Sequence, residues 1–127
     1  MILVDSCGWL EYFAGSDLAN AYYPYLKKPK EIITPTIVLY EIYKKIKKEF
    51  GEEDALLAVS QTGETTIVPL TDSIALTAAD YSLELKIPMA DAIIYATAIA
   101  KKTKIVTSDT HFKDLKNVIF IDKKGPK

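Results

Sequence analysis

Two short β-branched runs in this chain each lead to an aspartate. Ile2-Leu3-Val4 leads to Asp5, and Ile105-Val106-Thr107 leads through Ser108 to Asp109. If the runs are neighbouring parallel strands, both carboxylates leave the sheet at its C-terminal edge, where open α/β sheets bind ligands. Two further acids can reach the same edge. Asp91 is the only charge between Ile87 and Ala100, and Glu41 is the first charge after the uncharged stretch Ile32–Tyr40. Carboxylates crowded together raise one another's pKa unless a cation lies among them. Mg²⁺ and Mn²⁺, hard cations that take oxygen ligands, meet that need. The expected centre is four carboxylates, Asp5, Glu41, Asp91 and Asp109, around a divalent metal.

Each acid also has a simpler role. Asp5 and Asp109 can cap the turns that follow them. Asp91 stands in the first turn of a helix, where the dipole favours an anion. That helix is so apolar, however, that an unpaired carboxylate on it is costly, and no lysine or arginine neighbours it. Glu41 can pair with Lys45, worth about 0.3–0.5 kcal/mol, and taken alone that is the simpler reading. Ser6, Thr107 and Ser108 are expected to hold the carboxylates through hydroxyl hydrogen bonds. His111 reads as a surface or packing residue. Cys7 reads as a small buried apolar one.

The elements that must position these residues alternate. Strands are expected at 2–5, 31–34, 65–68, 104–107 and 118–121. Helices are expected at 7–13, from Ser16-Asp17 to about Lys28, at 36–50, 52–60, from Thr71-Asp72 to about Leu85, and from Pro88 to about Ala100. The stripe Val38, Leu39, Ile42, Tyr43 and Ile46 sets the inner face of the 36–50 helix. The segment PMADAIIYATAIA is apolar nearly all round and should lie against the sheet. Strands alternating with helices imply a parallel sheet of four or five strands with right-handed crossovers. The fold class is therefore α/β, in three α/β/α layers.

At 127 residues the chain is expected to be one domain, spanning 1–127. No apolar run approaches membrane-spanning length, and the first residues are strand-like; a soluble cytoplasmic protein is expected, with no membrane association. The net charge of −1 is unlike a general nucleic-acid coat protein, so any RNA must be held by local clusters, such as Lys44–Lys48 or Lys101, Lys102 and Lys104. All sixteen cations are lysine. Trp9, Tyr12 and Phe13 can line a groove for a partner helix or, more simply, pack in the core. A phosphate-cradling GKS or GKT loop, a GxGxxG and a GxSxG are all absent, which argues against several common enzyme classes.

Four segments, ILVDSCGWLEYF, TPTIVLYEI, IPMADAIIYATA and IVTSDTHF, together span nearly the whole chain. In that order they resemble the PIN domain, and specifically the VapC-like toxins of prokaryotic toxin–antitoxin pairs. The resemblance implies a metal-dependent endoribonuclease, with Mg²⁺ or Mn²⁺ held by Asp5, Glu41, Asp91 and Asp109. It also implies a homodimer and a VapB-like antitoxin whose tail covers the site. The family often carries a further acid after the fourth; here Thr110, His111 and Phe112 occupy those positions and the next acid is Asp114. The alternatives are an antitoxin-independent PIN nuclease of RNA processing and an inactive PIN-like binding module.

Overall fold

The computed structural model describes residues 1–123. The end of the lysine-rich tail, expected to fray, lies outside them. Five strands form one sheet: β1 (Ile2–Val4), β2 (Ile32–Pro35), β3 (Thr66–Val68), β4 (Lys104–Thr107) and β5 (Val118–Phe120). All pairings are parallel, in the order β3-β2-β1-β4-β5. The helices are α1 (Ser6–Ala14), α2 (Ala19–Leu26), α3 (Thr36–Phe50), α4 (Glu52–Thr62), α5 (Asp72–Leu85) and α6 (Met89–Ala100). The strand order moves outward from β1 to β3 and then reverses to β4 and β5. Right-handed crossovers therefore send α1–α4 to one face and α5–α6 to the other. This is the expected three-layer α/β arrangement.

The central strands read as continuous apolar runs because both faces are covered. Leu3, Val4, Ile32, Ile105 and Val106 are fully buried. Among the helices, α6 is sunk deepest, with Asp91, Ala92, Ile94, Tyr95, Ala96, Thr97 and Ala98 all buried. Its apolar circumference leaves only the end residues Met89 and Ala100 exposed. On α3 only Val38, Ile42 and Ile46 are buried, as a stripe at helical spacing requires. Gly8 lets α1 approach its neighbours closely: a Cβ there would collide with Tyr22 Cε1 and stand 2.7 Å from Tyr22 Cδ1 and 2.8 Å from Val4 Cγ1.

One helix departs from expectation. α2 begins at Ala19 rather than at Ser16-Asp17. The Ser16 hydroxyl turns back to the Glu11 carbonyl and carboxylate instead of capping forward. Gly15, with φ 64°, closes α1 just before it. Proline at position 24 is accommodated within α2.

The strand order also fixes where a site can form. β1 and β4 are adjacent although two strands and the intervening helices separate them in sequence, with Val4 opposite Val106. This is the point where the topology reverses, so a crevice opens at its C-terminal edge. α1 and α3 start at that edge because each follows its strand directly. α6 joins β4 through only Lys101–Thr103 and so runs antiparallel to it, which returns its N-terminal turn to the same edge. α3 touches both α1 and α6.

Candidate active site

Asp5 continues β1, its amide donating to the Val106 carbonyl at 3.1 Å. It then caps α1, Oδ1 accepting from the Ser6 amide at 2.7 Å. Oδ2 accepts from the Thr107 hydroxyl at 2.8 Å and from the Cys7 thiol at 3.6 Å. The carboxylate is only 3% exposed. Thr107 does two jobs, since its oxygen also accepts the Asp109 amide at 2.9 Å. One hydroxyl thereby ties the two strand-end aspartates together. Asp109 Oδ1 in turn accepts from the His111 amide at 2.9 Å, capping the short 3₁₀ turn Thr110–Phe112. For both aspartates the structural role and the site position are held at once.

Asp91 projects from the first turn of α6 into the same edge. His111 Nδ1 lies 2.8 Å from Asp91 Oδ2 and 3.1 Å from Asp109 Oδ1, a donor placed between two carboxylates. Ligand atoms of Asp91, Asp109 and His111 all fall within 4.8 Å of one another. Asp5 and Glu41 border this group closely enough for their charges to act on its members. Asp114 is exposed and adopts φ 72°, and it is not among the residues brought together.

The electrostatics follow from crowding. Burial, more than any charge, raises the Asp5 carboxyl above the usual carboxylate range; the Thr107 and Ser6 hydrogen bonds resist and Asp109 adds to it. Burial also raises Glu41, with Asp5 next and the Ser6 hydroxyl opposing. Asp91 is pushed up to about 7, by burial first and then by Asp109 and Asp5, while His111 pulls it back. Glu41 Oε1 is buried with no hydrogen-bond partner. The expected Glu41–Lys45 pair does not form. Lys45 binds Glu49 at 2.8 Å, because Glu41 turns inward to the edge while Lys45 stays in solvent.

Three residues behave differently from their sequence reading. Ser108 is bonded elsewhere than to the carboxylates: its oxygen accepts from the Tyr22 hydroxyl at 2.8 Å and its hydroxyl donates to Cys7 Sγ at 3.6 Å. It stands one residue beyond β4, and of the two neighbouring hydroxyls it is Thr107 that serves Asp5. Cys7 is not an inert apolar filler, since its thiol touches Asp5, Thr107, Tyr22 and Ser108. His111 is at the surface, 53% exposed, yet it bridges two buried-edge acids. The signal for Cys7 and His111 was their place two residues after Asp5 and Asp109. Trp9 is buried core and stacks on Phe13 with centroids 5.9 Å apart, while Tyr12 is exposed.

The donor set suits a hard divalent cation. Asp91, Asp109 and His111 offer two carboxylates and one imidazole within 4.8 Å of one another, and Glu41 has a buried oxygen that no protein donor satisfies. Among the described residues, the only positively chargeable side chain bonded to these acids is His111. More negative charge is gathered here than the described residues compensate.

Solved structures with this architecture include a toxin–antitoxin complex from Klebsiella pneumoniae. It is 24% identical over 94% of this chain and 96% of that one, with a TM-score of 0.78. VapBC2 from Rickettsia felis, bound to a DNA fragment from its promoter, is 21% identical over 94% and 97%, with a TM-score of 0.72. The Mycobacterium tuberculosis toxin VapC20, described as cleaving the sarcin–ricin loop, is 18% identical over 83% and 87%, with a TM-score of 0.69. Among curated protein sequences none matches this chain. The sequence model of the PIN domain matches residues 2–118, from the first residue of β1 into β5 and so across every element that carries an acid of this edge. With that span matched and the parallel five-stranded sheet in place, the chain belongs to the PIN domain family.

Proposed function

We propose that this PIN domain is a divalent-metal-dependent endoribonuclease, the toxin of a VapBC-like pair. The observation that carries the reading is the surplus of negative charge at the C-terminal edge of β1 and β4. Asp5, Glu41 and Asp91 are all raised there, and Glu41 keeps a buried oxygen without a donor. A phosphate would be repelled from such an edge unless a cation reversed its sign. Asp5 and Asp91 are assigned as the principal ligands of Mg²⁺ or Mn²⁺, with Asp109 at a second position and Glu41 binding metal or orienting the attacking water. When bound, the ion supplies a water of lowered pKa and offsets charge on the phosphate and the leaving oxygen.

The chain's own residues do the rest. Thr107 holds Asp5 and Asp109 in fixed relation, and Ser6 anchors Asp5 Oδ1. His111 orients Asp91 against Asp109. Glu41, its carboxyl raised by burial, is suited to accept a proton from water. Lys44 and Lys47 lie over Tyr40 and Tyr43, at 5.5 and 5.2 Å from the ring centroids. Lys47 is also paired with Glu52. Lys44 and Lys48 are thus the members of this cluster best placed to meet RNA phosphates, beginning one turn beyond Glu41.

The likeness to VapBC complexes supports a VapB-like antitoxin as partner; a cytoplasmic homodimer is proposed as the working unit. A groove of about 630 Å³ runs between α1, α3 and α4, lined by Leu10, Phe13, Ile46, Phe50, Leu57 and Ala58. Phe50 and Leu57 stand 63% and 60% exposed on it. An apolar segment of the antitoxin is its proposed occupant.

Purified protein is tested on RNA with and without EDTA, and the product ends are sequenced. Cleavage should cease in EDTA, return with Mg²⁺ or Mn²⁺, and leave a 5′-phosphate and a 3′-hydroxyl. Activity that persists in EDTA, or a 2′,3′-cyclic phosphate product, would overturn the metal-water mechanism and move His111 to the centre. Co-expression with a neighbouring small gene should yield a copurifying, inactive complex.

A further inference from the structure

Beneath the acidic edge lies a chain of hydrogen bonds with one direction. The Tyr22 hydroxyl donates to Ser108 Oγ at 2.8 Å. The Ser108 hydroxyl donates to Cys7 Sγ at 3.6 Å. The Cys7 thiol donates to Asp5 Oδ2 at 3.6 Å. The path ends on a carboxylate, and Cys7 Sγ also lies 3.6 Å from the Tyr22 hydroxyl and 3.5 Å from the Thr107 hydroxyl, contacts in which either atom can donate. It begins on α2, which contributes no acid to the edge, and Tyr22 is fully buried there. A buried tyrosine needs a partner for its hydroxyl. Here the hydroxyl reaches to the end of β4.

Asp5 shows what the chain accomplishes. A carboxylate has about four acceptor positions. Ser6 fills one on Oδ1, and Thr107 and Cys7 fill two on Oδ2. The remaining position is left free and its direction is set by the other three. Thr107 alone would leave the Oδ2 side able to swing. The cysteine donor, held from behind by Ser108 and Tyr22, closes that freedom, and hydrogen bonds in series polarise one another.

We propose that Tyr22 is a positioning residue: acting through Ser108 and Cys7, its hydroxyl fixes the orientation of the Asp5 carboxylate. What Asp5 does with that orientation rests on the metal-nuclease reading above; the hydrogen-bond chain itself does not. Tyr22→Phe keeps the ring, which packs against Gly8 and fills the core, and removes only the first donor. A purely structural role for Tyr22 predicts no change at Asp5.

The experiment compares wild type with Tyr22→Phe, Cys7→Ala and Cys7→Ser, all metal-free, by amide NMR. The Ser6 amide bonds Asp5 directly and the Asp109 amide reports through Thr107, so the two resonances read the carboxylate's orientation. Tyr22→Phe and Cys7→Ala should shift both, and Cys7→Ser, which keeps a donor, should restore them towards wild type. Mn²⁺ affinity measured by titration calorimetry should fall about tenfold in Tyr22→Phe, the usual scale for losing a group that orients a ligand. With RNA, kcat should fall while KM stays. Wild-type Ser6 and Asp109 resonances in Tyr22→Phe would overturn the proposal. If the wild-type protein itself neither binds Mn²⁺ nor cleaves RNA, the nuclease reading fails, and the amide shifts still decide whether Tyr22 orients Asp5.

Discussion

Asp91→Asn separates a carboxylate that stabilises the fold from one that is tolerated for its site. The Asp91 carboxyl is carried from 3.8 to about 7 in the folded chain. Its folded value is raised, so its contribution to stability is complete below the unfolded value near 3.8 and is lost as pH climbs through about 7. At ~1.4 kcal/mol per pH unit the full loss would be about 4 kcal/mol if Asp91 titrated alone. It does not: Asp109 and Asp5 share the repulsion, and His111 offsets part of it at 2.8 Å. Asparagine keeps an oxygen that accepts from His111. A net gain of about 1–3 kcal/mol near pH 8, falling to about zero near pH 4, is expected for the metal-free variant. Urea denaturation across that pH range in EDTA measures it. Adding Mn²⁺ should then invert the order, because binding at about one hundred times Kd stabilises wild type by ~2.7 kcal/mol and the variant far less. RNA cleavage should be lost throughout. An Asp91→Asn protein less stable than wild type near pH 8 in EDTA, or a difference flat with pH, would refute the account of a crowded, uncompensated edge.

Glu41→Gln should also stabilise the metal-free protein above neutral pH, because its carboxyl is raised by burial and by Asp5. It should cut RNA cleavage by about a hundredfold, on the scale of losing a general base, and single-turnover kinetics with a denaturation curve report both. Thr107→Val should cost about 1–3 kcal/mol, since it strands the Asp109 amide and removes a donor from buried Asp5. That loss should grow with pH, because the lost bond favours ionised Asp5 and its removal raises a carboxyl that is already raised; equal losses near pH 5 and pH 8 would argue against it. Gly8→Ala should destabilise by about 1–3 kcal/mol through overpacking on Tyr22 and Val4, seen as a lower urea midpoint with unchanged slope.

Much of this protein is determined by local pattern. The β-branched runs before Asp5 and Asp109, the apolar circumference of α6 and the stripe on α3 each belong to a single element. Burial of one face is a property that sequence period alone can encode. The parallel sheet follows from their alternation. What the linear pattern does not contain is which side chains meet. The order β3-β2-β1-β4-β5 puts Asp5 beside Thr107, more than one hundred positions away, at 2.8 Å. The packing of α2 beneath the edge gives Ser108 to Tyr22 rather than to a carboxylate. Lys45 is four residues from Glu41 and satisfies the spacing for an ion pair, yet the inward turn of Glu41 gives it to Glu49. His111 looked like surface, and it is; only the approach of α6 to the end of β4 makes that surface the place where two aspartates share a donor. Periodicity reports how each element meets water, whereas the charge and hydrogen-bond balance of the edge is a sum over several elements that exists only once they are packed.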